Sequence, residues 1–458
     1  MNAIILISIL GILAMMSEFI GLKKFIYPII LVSLVGILGY NICTFWNTDP
    51  ILHYGMLLHN NYSIAFGSLL ITITLFWFLL TRATYSDGEF NQGDHYALIL
   101  FSTVGGLILV SFTNMSMLFL GVEILSIPLY ILAGSRKKDL RSVESSIKYF
   151  ILGSFATGIM LLGIALIYGA TGSFDFPTIK AAVSSQPLFY VGITLLSIAF
   201  AFKVSAVPFH FWVPDVYGGA PTVITAFMST FVKVAAFGAF YHMLEGLFDS
   251  IPMYLSNTLI GLSALTIIVG NLAASYQDNV KRMLAFSGVS QAGYMLMVFP
   301  ILTLGAKSSL FVYLAGYAAA NLIAIYVVQA IEKSKGEASV ENFSGLAKSN
   351  PFLAFVMALS LISLAGIPPA AGFFGKFYLF TEVINAGNVS LVLIAILGSL
   401  ISVYYYFKTI IAMYSSEEIS TSSTPAFGFT TVILAIMSIL VVLIGLFPDI
   451  LLQVGINI

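Results

Sequence analysis

The chain has little charge. Of its 458 residues only 9% are Asp, Glu, Lys or Arg, while 59% are hydrophobic. Soluble globular domains carry about 25% charged residues, so a water-soluble globular fold is excluded. With 19 basic and 20 acidic residues, the balance carries no signature of nucleic acid. Cysteine is nearly absent: Cys43 alone can form neither an intramolecular disulfide nor a cysteine metal site. No Gly-x-Gly-x-x-Gly follows a strand pattern, so no dinucleotide or flavin site is expected on this chain. His53, His59 and His95 read as loop residues that nothing gathers around a metal. A basic leader is also missing, and Ala3 to Ile20 reads as a first membrane span and not as a cleavable signal.

What the chain does have is hydrophobic length. Fourteen apolar runs reach the roughly 17–25 residues that a membrane helix needs, at about 3–21, 25–45, 62–81, 96–112, 115–133, 146–170, 188–210, 221–244, 255–275, 283–303, 308–331, 352–380, 389–414 and 427–447. The expected fold is an all-α polytopic membrane protein. Its basic residues fall on one side. Lys23, Lys24, Arg82, Arg136, Lys137, Lys138, Arg141, Lys281, Arg282, Lys333, Lys335 and Lys348 read as flanking connections of one face, and only Lys180 and Lys307 the other. The positive-inside rule then places both termini on the outer face.

Five lysines remain, and they lie within spans: Lys148, Lys203, Lys233, Lys376 and Lys408. An ionisable group at bilayer depth is costly and is by default a functional candidate. Lys203 opens the stretch Lys203-Val-Ser-Ala-Val-Pro-Phe-His-Phe-Trp-Val-Pro-Asp-Val-Tyr, whose prolines should interrupt span 7. Such broken backbone survives in a membrane only where protein or water satisfies it. Lys376 follows Gly366-Ile-Pro-Pro-Ala-Ala-Gly-Phe-Phe-Gly, a second interruption, in span 12. Lys233 lies inside span 8 and Glu123 inside span 5. Two interrupted spans in corresponding halves point to a transporter built on repeats. Spans 4–8 and 9–13 would be inverted five-helix repeats, because span 7 enters from outside and span 12 from inside. The expected units are residues 1–95 (spans 1–3), 96–250 (first repeat), 251–415 (second repeat) and 416–458 (last span). Weaker candidates are Glu144 and Lys148, one helical turn apart and readable as an interfacial salt bridge, and His210, either a proton relay or a plainly hydrogen-bonded histidine. Lys408, beside three tyrosines, reads as a snorkelling residue.

The Lys203 stretch, continued by Gly219-Ala-Pro-Thr222, resembles the span 7–8 signature of the antiporter-like subunits of respiratory complex I. Its Pro214-Asp-Val-Tyr form is similar to the subunit N branch. Lys148-Tyr-Phe-Ile-Leu-Gly-Ser-Phe, Ile167-Tyr-Gly-Ala-Thr-Gly and Lys281-Arg-Met-Leu-Ala-Phe-Ser agree with it. The resemblance implies a proton-translocating membrane-arm subunit of an NADH–quinone oxidoreductase in a bacterial cytoplasmic membrane, with a fourteen-helix inverted-repeat fold. It carries the family's glutamate and three lysines onto Glu123, Lys203, Lys233 and Lys376. NADH, FMN, iron–sulfur clusters and quinone would sit on other subunits, and partners would include further antiporter-like subunits. Burial disfavours an ammonium and a nearby carboxylate restores it, so Glu123 is expected to pair with Lys203. One position departs from the family pattern: Gln291 stands where histidine is common, and glutamine cannot carry a proton. A multisubunit Na⁺/H⁺ antiporter of the Mrp type would share the fold and charges. The Asp215-Val-Tyr form and the Ile167 stretch favour the respiratory complex.

Overall fold

A computed structural model describes residues 2–86, 92–182, 186–415 and 428–458. The chain is mostly helical. Helices α1 (Asn2–Met16) and α2 (Ile26–Phe45) lead to a hairpin of β1 (Ile51–His53) and β2 (Leu57–His59), then α3 (Asn61–Ser86) and α4 (Gln92–Leu109). Helices α5 (Met115–Ala133), α6 (Leu140–Thr171) and the short α7 (Phe176–Ala182) follow. Helices α8 (Pro187–Lys203) and α9 (Trp212–Gly219) flank a break, and α10 (Thr222–Phe227) passes through a π-helical turn, Met228–Val232, into α11 (Lys233–Leu247). Next come α12 (Met253–Ser275), α13 (Val280–Leu296), α14 (Leu304–Lys335) and, after a 3-10 turn, α15 (Leu346–Ser349). A second break separates α16 (Pro351–Ala365) from α17 (Ala371–Asn385), and α18 (Val389–Ser415), α19 (Phe429–Leu446) and α20 (Asp449–Ile456) complete the chain.

Among the described residues, nine helical stretches are long and apolar enough to cross a membrane, and α1, α8 and α16 are apolar but shorter. The two shortfalls at α8 and α16 are the expected interruptions. The first break contains Ser205 at a φ of 66° and a cis Val207–Pro208 bond; the second contains Gly366 at 84° and a cis Pro368–Pro369 bond. Gly366 takes the left-handed conformation that closes α16, a position glycine tolerates best. The expected junction at 416, and residue 427 where the last span is expected to begin, lie outside the described residues.

Burial separates the centre from the perimeter. The α10–α11 rod is buried along its whole apolar window and α14 along 89% of it, against 28% for α2 and 33% each for α6 and α19. A polypeptide in lipid must satisfy every backbone group internally, so the π turn and both breaks need protein around them. The π turn receives it from tyrosines: Tyr217 donates to the Met228 carbonyl at 3.2 Å and Tyr317 to the Ser229 carbonyl at 2.9 Å.

Several sequence expectations need correction. Lys281 and Lys307 lie in the first turns of α13 and α14, not in connections, and both are buried. His95 belongs to α4, and His53 and His59 to the hairpin, whose Tyr54-Gly55 turn has positive φ at both residues. Positive φ at both positions suits a type I′ turn, but Tyr-Gly is not among the pairs that announce one in a sequence.

Helices α16 and α17 approach so closely that a Cβ on Gly372 would stand 1.8 Å from the Ser363 carbonyl oxygen. Gly372→Ala must therefore push the second half of this span away from the first. A loss of about 1–3 kcal/mol is expected from such overpacking, readable as a lower thermal midpoint of the purified membrane assembly. An unchanged midpoint would mean that this contact is slack.

Candidate functional site

Three lysines are buried in the middle of the fold: Lys203 is 6% exposed, Lys233 1% and Lys376 4%. Each ammonium is met by oxygen dipoles. Lys203, the last residue of α8, donates to the Ser126 hydroxyl of α5 and sits 6.0 Å from the ring centres of both Tyr130 and Tyr149. Tyr149 stacks on Trp212, whose indole donates to the Phe202 carbonyl at 3.2 Å. Placing a cation at a helix C-terminus, where carbonyls lack partners, is electrostatically favourable.

Lys233 follows the π turn and donates to the Gly288 carbonyl in the middle of α13. Its ammonium lies 6.0 Å from the centre of the Tyr317 ring. Tyr317 in turn holds the π turn, and Asn321 donates to the Ser229 hydroxyl at 2.8 Å.

Lys376 reaches back across the second break. It donates to the Ala365 carbonyl at 3.1 Å and to the Ser399 hydroxyl at 3.3 Å, with the Tyr294 ring centre 4.4 Å away. Ser399 donates to the Tyr294 hydroxyl at 3.2 Å; Asn271 donates to the same hydroxyl at 3.3 Å and accepts from Tyr405 at 3.0 Å. Gln291 occupies the middle ground. Its amide donates to the Leu364 carbonyl at 2.9 Å and to Tyr406 at 3.2 Å, and its carbonyl accepts from Tyr313. Tyr406 also meets Ser287, the neighbour of the Gly288 that receives Lys233. Polar groups on α13, α14 and α18 thus line the way from Lys233 to Lys376. On the Lys203 side the partners of Lys203 and Lys233 share no atom.

The weaker candidates lie apart. Lys148 pairs with Glu144 at 2.7 Å and with Asp215 of α9 at 2.6 Å, and Arg282 approaches Asp215 at 3.7 Å. All four side chains are partly exposed, so this is a surface network tying α6, α9 and α13 together, where single pairs contribute little. His210 is buried in the first break with Nδ1 lacking a hydrogen-bond partner among the described residues. Lys408 ends at Asp278, 2.7 Å away, at the helix end.

Glu123 departs from expectation. It is only partly buried, and among the described residues no ion pair joins it to Lys203. Ser126, one turn further along the same face of α5, takes the ammonium instead. The residues missed in the sequence are uncharged: Ser126, Tyr130, Tyr149, Tyr294, Tyr317, Ser399 and Tyr406. Hydroxyls are common in membrane helices, where a neighbouring backbone carbonyl can accept from them, so nothing in the sequence sets these apart.

Buried cations seated at broken and bulged helices, in a mostly helical apolar chain, define an antiporter-like membrane protein. Residues 113–402 match the family described as NADH:quinone oxidoreductase/Mrp antiporter, TM. The chain is 86% identical over 458 residues to the NADH-quinone oxidoreductase subunit N of Cytophaga hutchinsonii, covering all of both chains. It aligns with a chain of respiratory complex I from Thermus thermophilus at 29% identity and a TM-score of 0.83, covering 98% of each. A chain of the Mrp complex from Dietzia sp. superposes with a TM-score of 0.90 at only 21% identity, covering 99% of this chain and 96% of that one. Fold similarity therefore does not separate the two branches, whereas sequence identity does. The chain belongs to the NADH:quinone oxidoreductase/Mrp antiporter family and, within it, to the NADH-quinone oxidoreductase subunit N proteins.

The geometry predicts which partner matters to Lys203. Hydrogen bonds to charged groups contribute about 1.5–3 kcal/mol, so a double-mutant cycle of Lys203→Met with Ser126→Ala should show a coupling of that order in thermal stability. The cycle with Glu123→Gln should show much less. The reverse ranking would restore the direct Glu123–Lys203 pair.

Proposed function

We propose that this chain is a proton-translocating membrane-arm subunit of NADH–quinone oxidoreductase, in which Lys203, Lys233 and Lys376 carry protons laterally through the middle of the membrane. The observation behind it is the placement of three buried ammonium groups on oxygen dipoles and not on carboxylates. A lysine held by a salt bridge is a fixed cation. One held by hydroxyl and carbonyl oxygens is less strongly bound to its charge, because the neutral amine can still donate to the same atoms. Such a group can accept a proton to become ammonium and pass it on, returning to the amine.

In this reading Lys203 is loaded first, within the cage of Ser126, Tyr130 and Tyr149. Glu123 acts on it through the field across Ser126 and not by contact, so a shift of α5 or a neighbour at its partly exposed carboxylate changes the charge on Lys203. Lys233 receives the proton at the π turn, and Lys376 receives it along the path lined by Gln291, Tyr406, Tyr294 and Ser399. Gln291 cannot carry the proton and instead fixes Tyr313 and Tyr406. His210, Glu144 and Lys148 border the first break; the last two with Asp215 hold α9 in place.

The reading includes a fourteen-span count, with α8 and α9 forming span 7, α10, the π turn and α11 span 8, and α16 and α17 span 12. Residues 96–250 and 251–415 form the inverted repeats, flanked by 1–95 and 416–458. Both termini face the outside of the bacterial cytoplasmic membrane. Quinone reduction, NADH oxidation, FMN and the iron–sulfur clusters belong to other subunits, among them further antiporter-like ones in the membrane arm. The identity to subunit N proteins favours this over an Mrp-type antiporter.

Lys376→Arg tests the carrier role. Arginine keeps the charge but holds its proton, with a pKa above about 12. The assembled variant should lose proton translocation while the subunit remains in the complex, measured as membrane acidification per quinone reduced. Translocation at the wild-type ratio would make Lys376 a fixed charge.

A further inference from the structure

A second set of buried charges lies away from the three lysines. Lys307, in the first turn of α14, is 6% exposed and pairs with Glu245 of α11 at 2.7 Å. Its ammonium lies 5.7 Å from the centre of the Tyr62 ring of α3, which stacks on His242 with ring centres 5.1 Å apart. His242 donates through Nε2 to the Phe112 carbonyl at 2.8 Å. Thr303, four residues before Lys307, donates to the Glu382 carboxylate of α17 at 3.1 Å, and its carbonyl accepts from Tyr241 of α11 at 3.2 Å. Glu245 and Glu382 are both partly exposed.

The helices that meet here also carry part of the relay: α11 starts with Lys233, α14 holds Tyr313 and Tyr317, and α17 holds Lys376. At 1.5 Å per residue, Lys376 lies about 9 Å along α17 from Glu382, whereas Lys233 lies about 18 Å along α11 from Glu245. Along the helix axes Lys376 is therefore nearer to Glu382 than Lys233 is to Glu245. A buried cation at a span end costs free energy and needs a reason. Holding helices together does not require two carboxylates open to water beside it.

We propose that Glu382 and Glu245, with Lys307 as their fixed counter-charge, form the site at which protons leave this subunit for the outer aqueous phase. The proposal rests on the relay and orientation inferred above. A proton leaving the Lys376 ammonium protonates the Glu382 carboxylate across bridging water, leaving a neutral amine and a neutral carboxyl. Glu382, whose side chain is partly exposed, then gives that proton to water, restoring the carboxylate. Lys307 keeps its proton throughout and compensates Glu245.

The test uses the whole complex in inside-out vesicles, whose lumen corresponds to the outer phase, with a lumenal pH indicator. Glu245→Gln combined with Glu382→Gln keeps both side-chain acceptors for Lys307 and Thr303, so a purely clamping cluster would still work. The expected result is an assembled complex whose lumenal acidification is slowed roughly 10²-fold, the lower range for removing a positioned proton-transfer group. Wild-type acidification in the assembled variant would overturn the proposal. If stranding the Lys307 charge blocks assembly, Lys307→Gln with Glu245→Gln and Glu382→Gln buries no unpaired charge and is read by the same two outcomes. Lys376→Arg measured in the same vesicles separates the levels. Its loss of acidification beside a normal carboxylate variant rejects only the release site, while normal acidification in both rejects the relay itself.

Discussion

Everything central in this protein depends on keeping a lysine ammonium inside a membrane without a carboxylate beside it. The cost of burying an unpaired ion is several kcal/mol, and helices in lipid ordinarily expose no backbone carbonyl to offset it. The fold meets the difficulty by interrupting helices where the lysines sit. Lys203 closes α8, Lys233 follows a π turn and Lys376 donates to a carbonyl at the end of α16. Carbonyls at the interruptions find side-chain donors: the Trp212 indole at the first break, Tyr217 and Tyr317 at the π turn, and Lys376 and Gln291 at the end of α16.

The interruptions demand surroundings in turn. The π turn is held by Tyr217 and Tyr317, and the end of α16 by Gln291 and Lys376. This is why the α10–α11 rod and α14 are buried almost completely while α2, α6 and α19 lie at the perimeter. The dense centre is the support that lets irregular backbone exist at bilayer depth, and it fixes the lysines in separate places. Tyrosines, serines and an amide lie between Lys233 and Lys376, whereas Lys203 keeps a separate set of partners.

The sequence made the expensive choices legible. A lysine among Phe, Ala and Val residues, or two prolines within an apolar run, stands out because nearly every alternative costs less. Hence both breaks, the buried Lys203, Lys233 and Lys376, and the positions of most helices could be read without coordinates. The cheap choices were illegible. Ser126 looks like any serine in a span, yet it holds Lys203 in place of Glu123, which sits one turn away. The π turn at Met228–Val232 is held by side chains from distant parts of the chain, Tyr217 of α9 and Tyr317 of α14, which no local pattern records. Lys281 and Lys307 read as connection residues because a charge near a span end resembles a loop charge; in the fold, α13 and α14 start early enough to bury them.

The central claim is that these lysines change protonation during turnover. Infrared difference spectroscopy on complex carrying isotope-labelled lysine would read it directly, comparing resting and NADH-reduced states through the ammonium bands. The account predicts a difference signal that weakens in Lys233→Leu and in Lys376→Leu. Difference spectra that are identical in wild type and both variants would contradict it, leaving the lysines as permanently charged features of the fold.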